Sequence, residues 1–574
     1  MKYKTEREFH KDFLLKEGDY RSIREMLGRI NRMIPQKVLL AELDAGNNMV
    51  EYTAQNIYNE VMALGEGLVA EGLKGAHIAI VSENCCRYVI ADISISSGVG
   101  VVVPVDVNSP DNLMATLLQK SDADAVLCGA DLVELMEQMQ QCCPRLKKII
   151  TLDRKVAGYP SYEEIVRKGK TLDGEYRNVE LDLDAPAKIL FPSGTTGANK
   201  GVVLTNANLA ANMVNCMDSI MTAGDTTSMS VLPMHHATEI NTHIMTRIGS
   251  GRLTYVNGNM RNLMKNMKVF KPHLITVVPM IANAFYRNIQ AGVKKVGKEE
   301  KLQKGIKLSN MLRKIGIDRT HKMFADLFVP FGGNLNMIVC GGSMLNPVVI
   351  KGMNDLGVRM ENGYGITECG PLISINGDTL SEHLSVGKPC PGLQVKIASP
   401  DADGIGDLCV KGKSVFKEYY KDPEATAAVF DEEGFFNTGD SARIDSKGRI
   451  FLVGRKKNTI VLENGKNVCP EEIENVIETN MGYADEIAVY QAELKVGNVS
   501  RSVICAGIFI KDEQERGNRR AIEADMERIN ALLPDYKRIE YVELPSSEYQ
   551  KTSSRKIIRK NLPQNCSGEG ILLM

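Results

Sequence analysis

No tryptophan occurs anywhere in the 574 residues, and aromatic residues make up only 6% of them. Any aromatic wall of a binding site must come from Phe or Tyr. Excess charge of either sign is missing as well: 70 Lys and Arg oppose 71 Asp and Glu. A net charge of −1 and a pI of about 6.7 leave no electrostatic footprint for nucleic acid. Long apolar runs are also lacking. The longest such stretch, Tyr88 to Val105, is broken by Asp92, several Ser and Gly, and Pro104. It reads as helix, turn and strand rather than a membrane span. The first residues, from Met1 to Glu8, are charged with no apolar core, so no secretory signal is expected. The 13 cysteines include adjacent pairs at Cys85-Cys86 and Cys142-Cys143 but no CxxC ligand spacing. Reduced thiols in the cytoplasm are the expectation. Cys566 stands too far from the end for a prenylation box. No internal repeat or low-complexity tract is present.

What the chain does have is a stretch around which the rest can be organised. Ile189 to Phe191 is a short apolar run suited to a buried strand. Ser193-Gly194-Thr195-Thr196-Gly197 follows, then Ala198, Asn199 and Lys200. Glycines let consecutive backbone N–H groups converge on an anion, the hydroxyls add donors, and Lys200 adds a point charge. The pattern is that of a polyphosphate loop; a Gly-rich surface turn is the alternative. It is not a Walker A loop, because Gly201 follows Lys200 where that motif needs Ser or Thr.

Short β-branched strands alternate with helical segments before and after this loop. Ile57, Val61, Leu64 and Leu68 mark a helical face with Thr53 as its N-cap. Strands are expected at His77–Val81, Val99–Val103, Ala123–Cys128, Lys148–Leu152, Met229–Pro233, Leu274–Val278, Met337–Cys340 and Arg359–Asn362. A helix is expected over Asn206–Met217, capped by Thr205 or Asn206. The stretch up to Arg32 reads as a charged peripheral helix. Alternation of this kind predicts doubly wound, mainly parallel sheets, whose sites form at strand carboxyl ends. Several of those ends carry Leu232-Pro233-Met234-His235-His236, Gly341-Gly342-Ser343 and Gly363-Tyr364-Gly365-Ile366-Thr367-Glu368.

Beyond about residue 385, turns at Asp403-Gly404, Glu433-Gly434 and Lys447-Gly448 predict hairpins. A further stretch of small α+β character follows, with a helix from Pro470, a strand at Ser502–Ile510 and a helix at Arg519–Leu533. The expected organisation is α/β: a large N-terminal domain over 1–454 with a β-rich subdomain at about 385–454, and a small mobile C-terminal domain over 455–574.

Taken together and in this order, the motifs resemble those of the adenylate-forming acyl-CoA synthetase family. They are Ser193 to Gly201, Leu232 to His236, Gly341-Gly342-Ser343, Tyr364 to Glu368, Thr438-Gly439-Asp440, Gly454-Arg455, and Lys551 to Ile557. The stretches Gly454 to Asn458 and Asn464 to Glu474 are most similar to the long-chain fatty acyl-CoA ligase branch. The resemblance implies formation of acyl-AMP from a medium- or long-chain fatty acid and ATP, then of acyl-CoA, with Mg²⁺, ATP and coenzyme A taking part. It implies a C-terminal domain that rotates between the two steps.

The resemblance also assigns roles. Ser193, Gly194, Thr195, Thr196, Gly197 and Lys200 would hold phosphates. Gly341, Gly342, Ser343, Tyr364 and Gly365 would form the adenine site. Thr367 would bond the α-phosphate, and Glu368 would ligate Mg²⁺. Asp440 and Arg455 would meet the ribose, Lys457 would be the hinge, and Lys556 would neutralise charge at the reacting phosphate. His236 would stand beside the acyl carboxylate as a gate, in a pocket lined by 277–284. By itself the trio His236, Glu239 and His243 could be a zinc site, although its spacing is not HExxH. Departures are Asn199 where Pro is usual, Arg555 where Gly is common, Lys457 where Asp is common, and the missing tryptophan gate, which leaves acyl length open. Two other readings stay open: a ligase that loads a carrier-protein phosphopantetheine, and a non-catalytic acyl- or nucleotide-binding protein. Peripheral contact with a membrane is compatible with the sequence.

Overall fold

The short strands are buried along nearly their whole length, as expected of parallel sheets covered on both faces. His77–Val81, Val101–Pro104 and Ala125–Cys128 lie side by side and parallel, with Ile78, Val102 and Val126 all inaccessible to solvent. The computed structural model describes residues 20–192, 200–220, 225–377, 382–462, 467–496, 499–552 and 556–573. Among these residues, a seven-stranded sheet runs in the order Glu418–Tyr419, Val202–Thr205, Pro186–Leu190, Val101–Pro104, His77–Val81, Ala125–Cys128, Lys148–Thr151. A nine-stranded sheet is centred on Ser228–Ser230, Leu274–Val277, Met337–Gly341 and Arg359–Gly365, which are mutually parallel. The α/β expectation holds at the centres of both sheets, while both ends of the nine-stranded sheet and one end of the seven-stranded sheet turn antiparallel.

Local signals fix the helices between the strands. Thr53 caps Ala54–Ala70 through a reciprocal box, with Asn56 N–H donating to Thr53 Oγ1 (3.1 Å) and Thr53 N–H to Asn56 Oδ1 (3.1 Å). Thr205 and Asn208 repeat the arrangement at the start of Asn206–Ser219. The helices Ala54–Ala70 and Tyr162–Lys170 approach so closely that a Cβ on Gly169 would lie 1.8 Å from the Ala63 carbonyl oxygen. Only glycine permits that spacing.

One early segment differs from expectation and a second carried none. Ile23–Met33 is not peripheral: Ile23, Met26, Leu27 and Ile30 enter the largest core. Their i, i+3, i+4, i+7 spacing is a buried stripe hidden among Arg24, Glu25, Arg29 and Arg32. Val38–Leu43 and Met49–Thr53 form a hairpin that extends the nine-stranded sheet through parallel pairing with Thr254–Val256. Its turn is held by Asn48 N–H donating to Asp44 Oδ1 (2.8 Å), with Asn47 at φ 61°.

The hairpin-rich stretch is a four-stranded antiparallel sheet in the order Leu393–Ala398, Gly406–Gly412, Phe436–Ile444, Ile450–Arg455. Beyond it, Glu486–Val496 pairs antiparallel with Val499–Phe509. The first of these two strands was not marked by the sequence pattern. Helices Pro470–Asn480 and Arg519–Asn530 pack Ile473, Ile477, Ile522 and Met526 into a separate core with this sheet.

Candidate active site

Three neighbouring strand ends supply the floor of the site. In the parallel ladder Val277 is level with Cys340, and Gly341 with Gly363. Gly342 and Tyr364 therefore emerge side by side, with Val278 one residue back, its Cγ1 3.7 Å from where a Cβ on Gly342 would stand. A Cβ on Gly341 would lie 2.9 Å from the Gly363 carbonyl oxygen, so that strand end must be bare. Gly342 has φ 92°, a conformation that glycine adopts without strain.

The antiparallel sheet supplies the next layer through its register. Asp440 lies opposite Arg455, and Arg455 Nε is 2.7 Å from Asp440 Oδ1. Tyr364 donates its phenol O–H to Asp440 Oδ2 at 2.6 Å. Burial, with the Asp440 carboxylate beside it, pushes the Tyr364 phenol well above its ordinary range, so it remains a donor. The Thr-Gly-Asp segment explains how Asp440 is aimed. Thr438 Oγ1 donates to the Leu408 carbonyl (2.9 Å) and accepts from Asp440 N–H (3.1 Å), while Gly439 takes φ 72°.

Lys556 enters from the far end of the chain. Beside it Lys551 pairs with Ile557 in an antiparallel bridge, and Thr552 N–H donates to the Lys556 carbonyl (2.8 Å). Its ammonium is pushed down to about 8, first by burial, then by Arg455 and Lys457, with Asp440 opposing. The same ammonium helps to hold the His236 imidazole well below its usual range, after burial and His235. His236 is thus kept neutral, and its Nε2 is buried without a hydrogen-bond partner among the described residues. A cavity of about 630 Å³ is lined by Gly342, Tyr364, Asp440, Arg455, Lys457 and Lys556, among others. Helix Pro470–Asn480 closes it on the other side through Glu474 and Glu478.

Glu368 and Thr367 stand on a single turn after Tyr364, at Thr367–Cys369. Glu368 Oε1 accepts from Tyr419 O–H at 2.9 Å. Its Oε2 takes no hydrogen bond among the described residues, which leaves a carboxylate oxygen suited to a hard cation such as Mg²⁺. Lys200 Nζ lies 4.8 Å from the centre of the Tyr419 ring. Tyr419 thus links the lysine of the phosphate-type loop to the acidic residue. It had no motif to mark it, because it reaches the site only when Glu418–Tyr419 pairs with Val202–Thr205. Ser193, Gly194, Thr195, Thr196 and Gly197 lie outside the described residues. Gly365 closes the turn tightly, since a Cβ there would lie 2.2 Å from the Pro371 carbonyl oxygen, and Ser343 is exposed at the cavity rim.

His236, Glu239 and His243 do not combine as ligands. Glu239 accepts from Leu232 N–H (3.3 Å) and lies 2.9 Å from His243 Nδ1, and no set of three ligating side chains converges among the described residues. His236 instead lies against His235, with ring centres 4.2 Å apart, and His235 Nε2 is 3.7 Å from Asp106 Oδ2.

A family model described as "AMP-binding enzyme" matches residues 34–420. The peroxisomal long chain acyl-CoA synthetase 6 of Arabidopsis thaliana is 29% identical over 452 residues, 72% of this chain. That match spans only 63% of the plant protein's length. Human long-chain-fatty-acid–CoA ligase 6 is 28% identical over 502 residues, covering 81% of this chain and 71% of its own. Among solved structures, an anthranilate CoA ligase in complex with anthranoyl-AMP superposes with a TM-score of 0.77 at 18% identity, over 94% of this chain and 96% of that one. The adenylation domain of a carboxylate reductase from Mycobacterium chelonae gives 0.76 at 19% identity, over 94% and 89%.

Proposed function

The chain belongs to the AMP-binding enzyme family, and from that membership we propose that it is an ATP-dependent fatty acid–CoA ligase acting in two steps. In the first, a fatty carboxylate oxygen attacks the α-phosphorus of ATP. The new bond joins carboxylate to phosphorus, the bond to pyrophosphate breaks, and acyl-AMP results. In the second, the thiol of coenzyme A attacks the acyl carbon and AMP leaves. The support is the meeting of Lys556 with the Tyr364–Asp440–Arg455 group and with His236, from four distant parts of the chain.

Each side chain has a matching role. Tyr364 presents its ring to adenine while its O–H holds Asp440. Each Asp440 oxygen keeps a second lone pair for a ribose hydroxyl beyond its bonds to Tyr364 and Arg455. Thr367 bonds the α-phosphate, and Gly341, Gly342, Ser343 and Gly365 shape the nucleotide floor. Residues 193–197 and Lys200 hold the outer phosphates. Glu368 is the residue for Mg²⁺, which when bound neutralises phosphate charge. Lys556 sets its positive charge where the carboxylate and the α-phosphate, both anionic, must approach. Neutral His236 offers a ring nitrogen to the acyl carboxylate without adding a second cation. Lys457 is the pivot about which residues 455–574 turn between the steps.

The acyl group is a medium- or long-chain fatty acid, the class named for the plant and human relatives. The cytoplasmic setting belongs to the proposal too, and rests on thirteen unpaired cysteines. The test is pyrophosphate release over saturated acids of graded length, followed by offering coenzyme A or a phosphopantetheinylated carrier protein to the acyl-AMP formed. Acid-dependent pyrophosphate release and a CoA thioester are expected. Release without a CoA thioester would reassign the acceptor to the carrier protein; no release at all would overturn the reading.

A further inference from the structure

Helix Glu299–Lys314 presents to solvent a face that a water-exposed helix ordinarily avoids. Its inner side is built on Leu302 and Ser309, which are buried. On the outer side Leu308, Met311 and Ile315 follow at i, i+3 and i+7, and are 46%, 60% and 69% exposed. Lys301, Lys304, Lys307 and Lys314 flank this strip on the same exposed surface. Val296, Ile317, Met323 and Val329 extend the apolar exposure on either side. Among the described residues, seven of the seventeen exposed large hydrophobic side chains therefore lie within 296–329.

Charge is concentrated in the same place. Residues 294–322 hold ten Lys and Arg against three Asp and Glu, a local net charge of +7 in a chain whose total is −1. Lys301, Lys307 and Lys314 enter no ion pair among the described residues, and the Lys304–Glu300 pair is fully solvent-exposed. Structural needs do not account for this combination. A surface helix kept only for solubility would carry charge at 308, 311 and 315, and a polyanion-binding face would not need three apolar residues in register.

We propose that this face docks on an anionic lipid bilayer, with Leu308, Met311 and Ile315 entering the headgroup–acyl boundary and the flanking lysines meeting acidic headgroups. The pairing of exposed aliphatic residues with unpaired cations is the chemistry that such a surface recognises. The helix follows Pro279–Lys295, from which Pro279, Met280, Asn283, Tyr286 and Arg287 line the site cavity, and itself contributes no side chain to that cavity. The inference stands apart from the ligase reading and can fail or hold without it.

The test is cosedimentation of the full chain with phosphatidylcholine vesicles, with and without phosphatidylserine. Binding only to phosphatidylserine vesicles, weakened by added salt, is expected. Replacing Lys301, Lys304, Lys307 and Lys314 by Gln should lower the affinity by at least about tenfold. Replacing Leu308, Met311 and Ile315 by Ser should also lower it, with circular dichroism and melting midpoint unchanged because all three side chains are exposed. The single change Ile315→Asp repeats the test with minimal disturbance. Absence of binding by the parent would overturn the proposal. So would full binding by the Ser variant, which would mark a general polyanion surface, or a dimer abolished by the Ser variant with no vesicle binding, which would mark a contact between copies.

Discussion

Lys556 and Asp440 form the residue-scale centre of the site, and both can be tested by splitting the reaction. Lys556→Ala is expected to lower acyl-AMP formation by on the order of a hundredfold or more, the usual cost of removing a charge that stabilises a transition state. Conversion of supplied acyl-AMP to thioester should stay near the parent rate. Measuring both half-reactions separately checks this, and equal loss in both would remove Lys556 from the first step. The pH dependence follows from the same side chain. Its ammonium is pushed down to about 8, chiefly by burial and then by Arg455. Under the role proposed for Lys556 the proton is needed, so kcat/KM for adenylation should fall as pH rises through that value. It should be level below it until the carboxylates titrate. A Lys556→Arg variant, always charged, should lose this alkaline limb even where its rate is lower. Asp440→Asn, in turn, should raise the KM for ATP more than it lowers kcat, since Asp440 is read as a binding rather than a reacting group.

At the scale of elements, two buried polar arrangements set stability. Thr205 caps the helix that follows the phosphate-type loop, and its hydroxyl accepts from Asn208 N–H at 3.2 Å. Thr205→Ala should cost about 1 kcal/mol, read from a lowered denaturation midpoint by circular dichroism. The second arrangement joins Lys188, on the strand leading into that loop, to Asp92 on helix Cys86–Ser94. Lys188 Nζ is 2.6 Å from Asp92 Oδ1 and 2.8 Å from Asn241 Oδ1, and both ionic side chains are buried. Burial drives the Asp92 carboxyl upward against the pull of Lys188. Lys188→Met should therefore destabilise by about 3–5 kcal/mol, because it strands a buried carboxylate. Adding Asp92→Leu to that variant should recover much of the loss, measured by the same denaturation midpoint. A double variant no more stable than the single one would show that packing at Lys188, not the charge of Asp92, sets the cost.

For the whole molecule, the question is what holds the C-terminal segment over the cavity. Asn283 Nδ2 donates to Glu478 Oε1 at 2.5 Å, and Arg287 lies 3.5 Å from Asp485. Both contacts tie helix Pro279–Lys295 to the part of the chain that bears Lys556. Under the proposed two-step scheme they favour the arrangement for adenylation and are released before thioester formation. Arg287→Ala should slow acyl-AMP formation by about two- to fivefold, the size of one exposed ion pair. Thioester formation from supplied acyl-AMP should be unchanged or faster. A slowing of both half-reactions by the same factor would count against a role in closure.

Much of the centre of the fold was already written in local pattern. Short β-branched runs alternating with capped helices specify parallel strands covered on both faces, because apolar side chains on both sides of a strand must be buried. Caps such as Thr53 and Thr205 act over three residues and are therefore visible in the chain itself. The order of motifs was likewise enough to mark the family. Non-local pairing was not legible. The hairpin at 38–53 gains its place only by lying beside Thr254–Val256, about 200 residues away. Tyr419 reaches Glu368 only because a two-residue strand adds to the edge beside Val202–Thr205. Asp440 meets Arg455 through cross-strand register, and Tyr364 meets Asp440 through the docking of one sheet on another. The downward push on the Lys556 ammonium was equally invisible, since it comes from burial beside Arg455 and Lys457. The sequence alone determined which residue types were available, and where along the chain. Tertiary structure decided which of them share one low-dielectric space, because desolvation and Coulomb terms depend on distances that spacing along a chain does not contain.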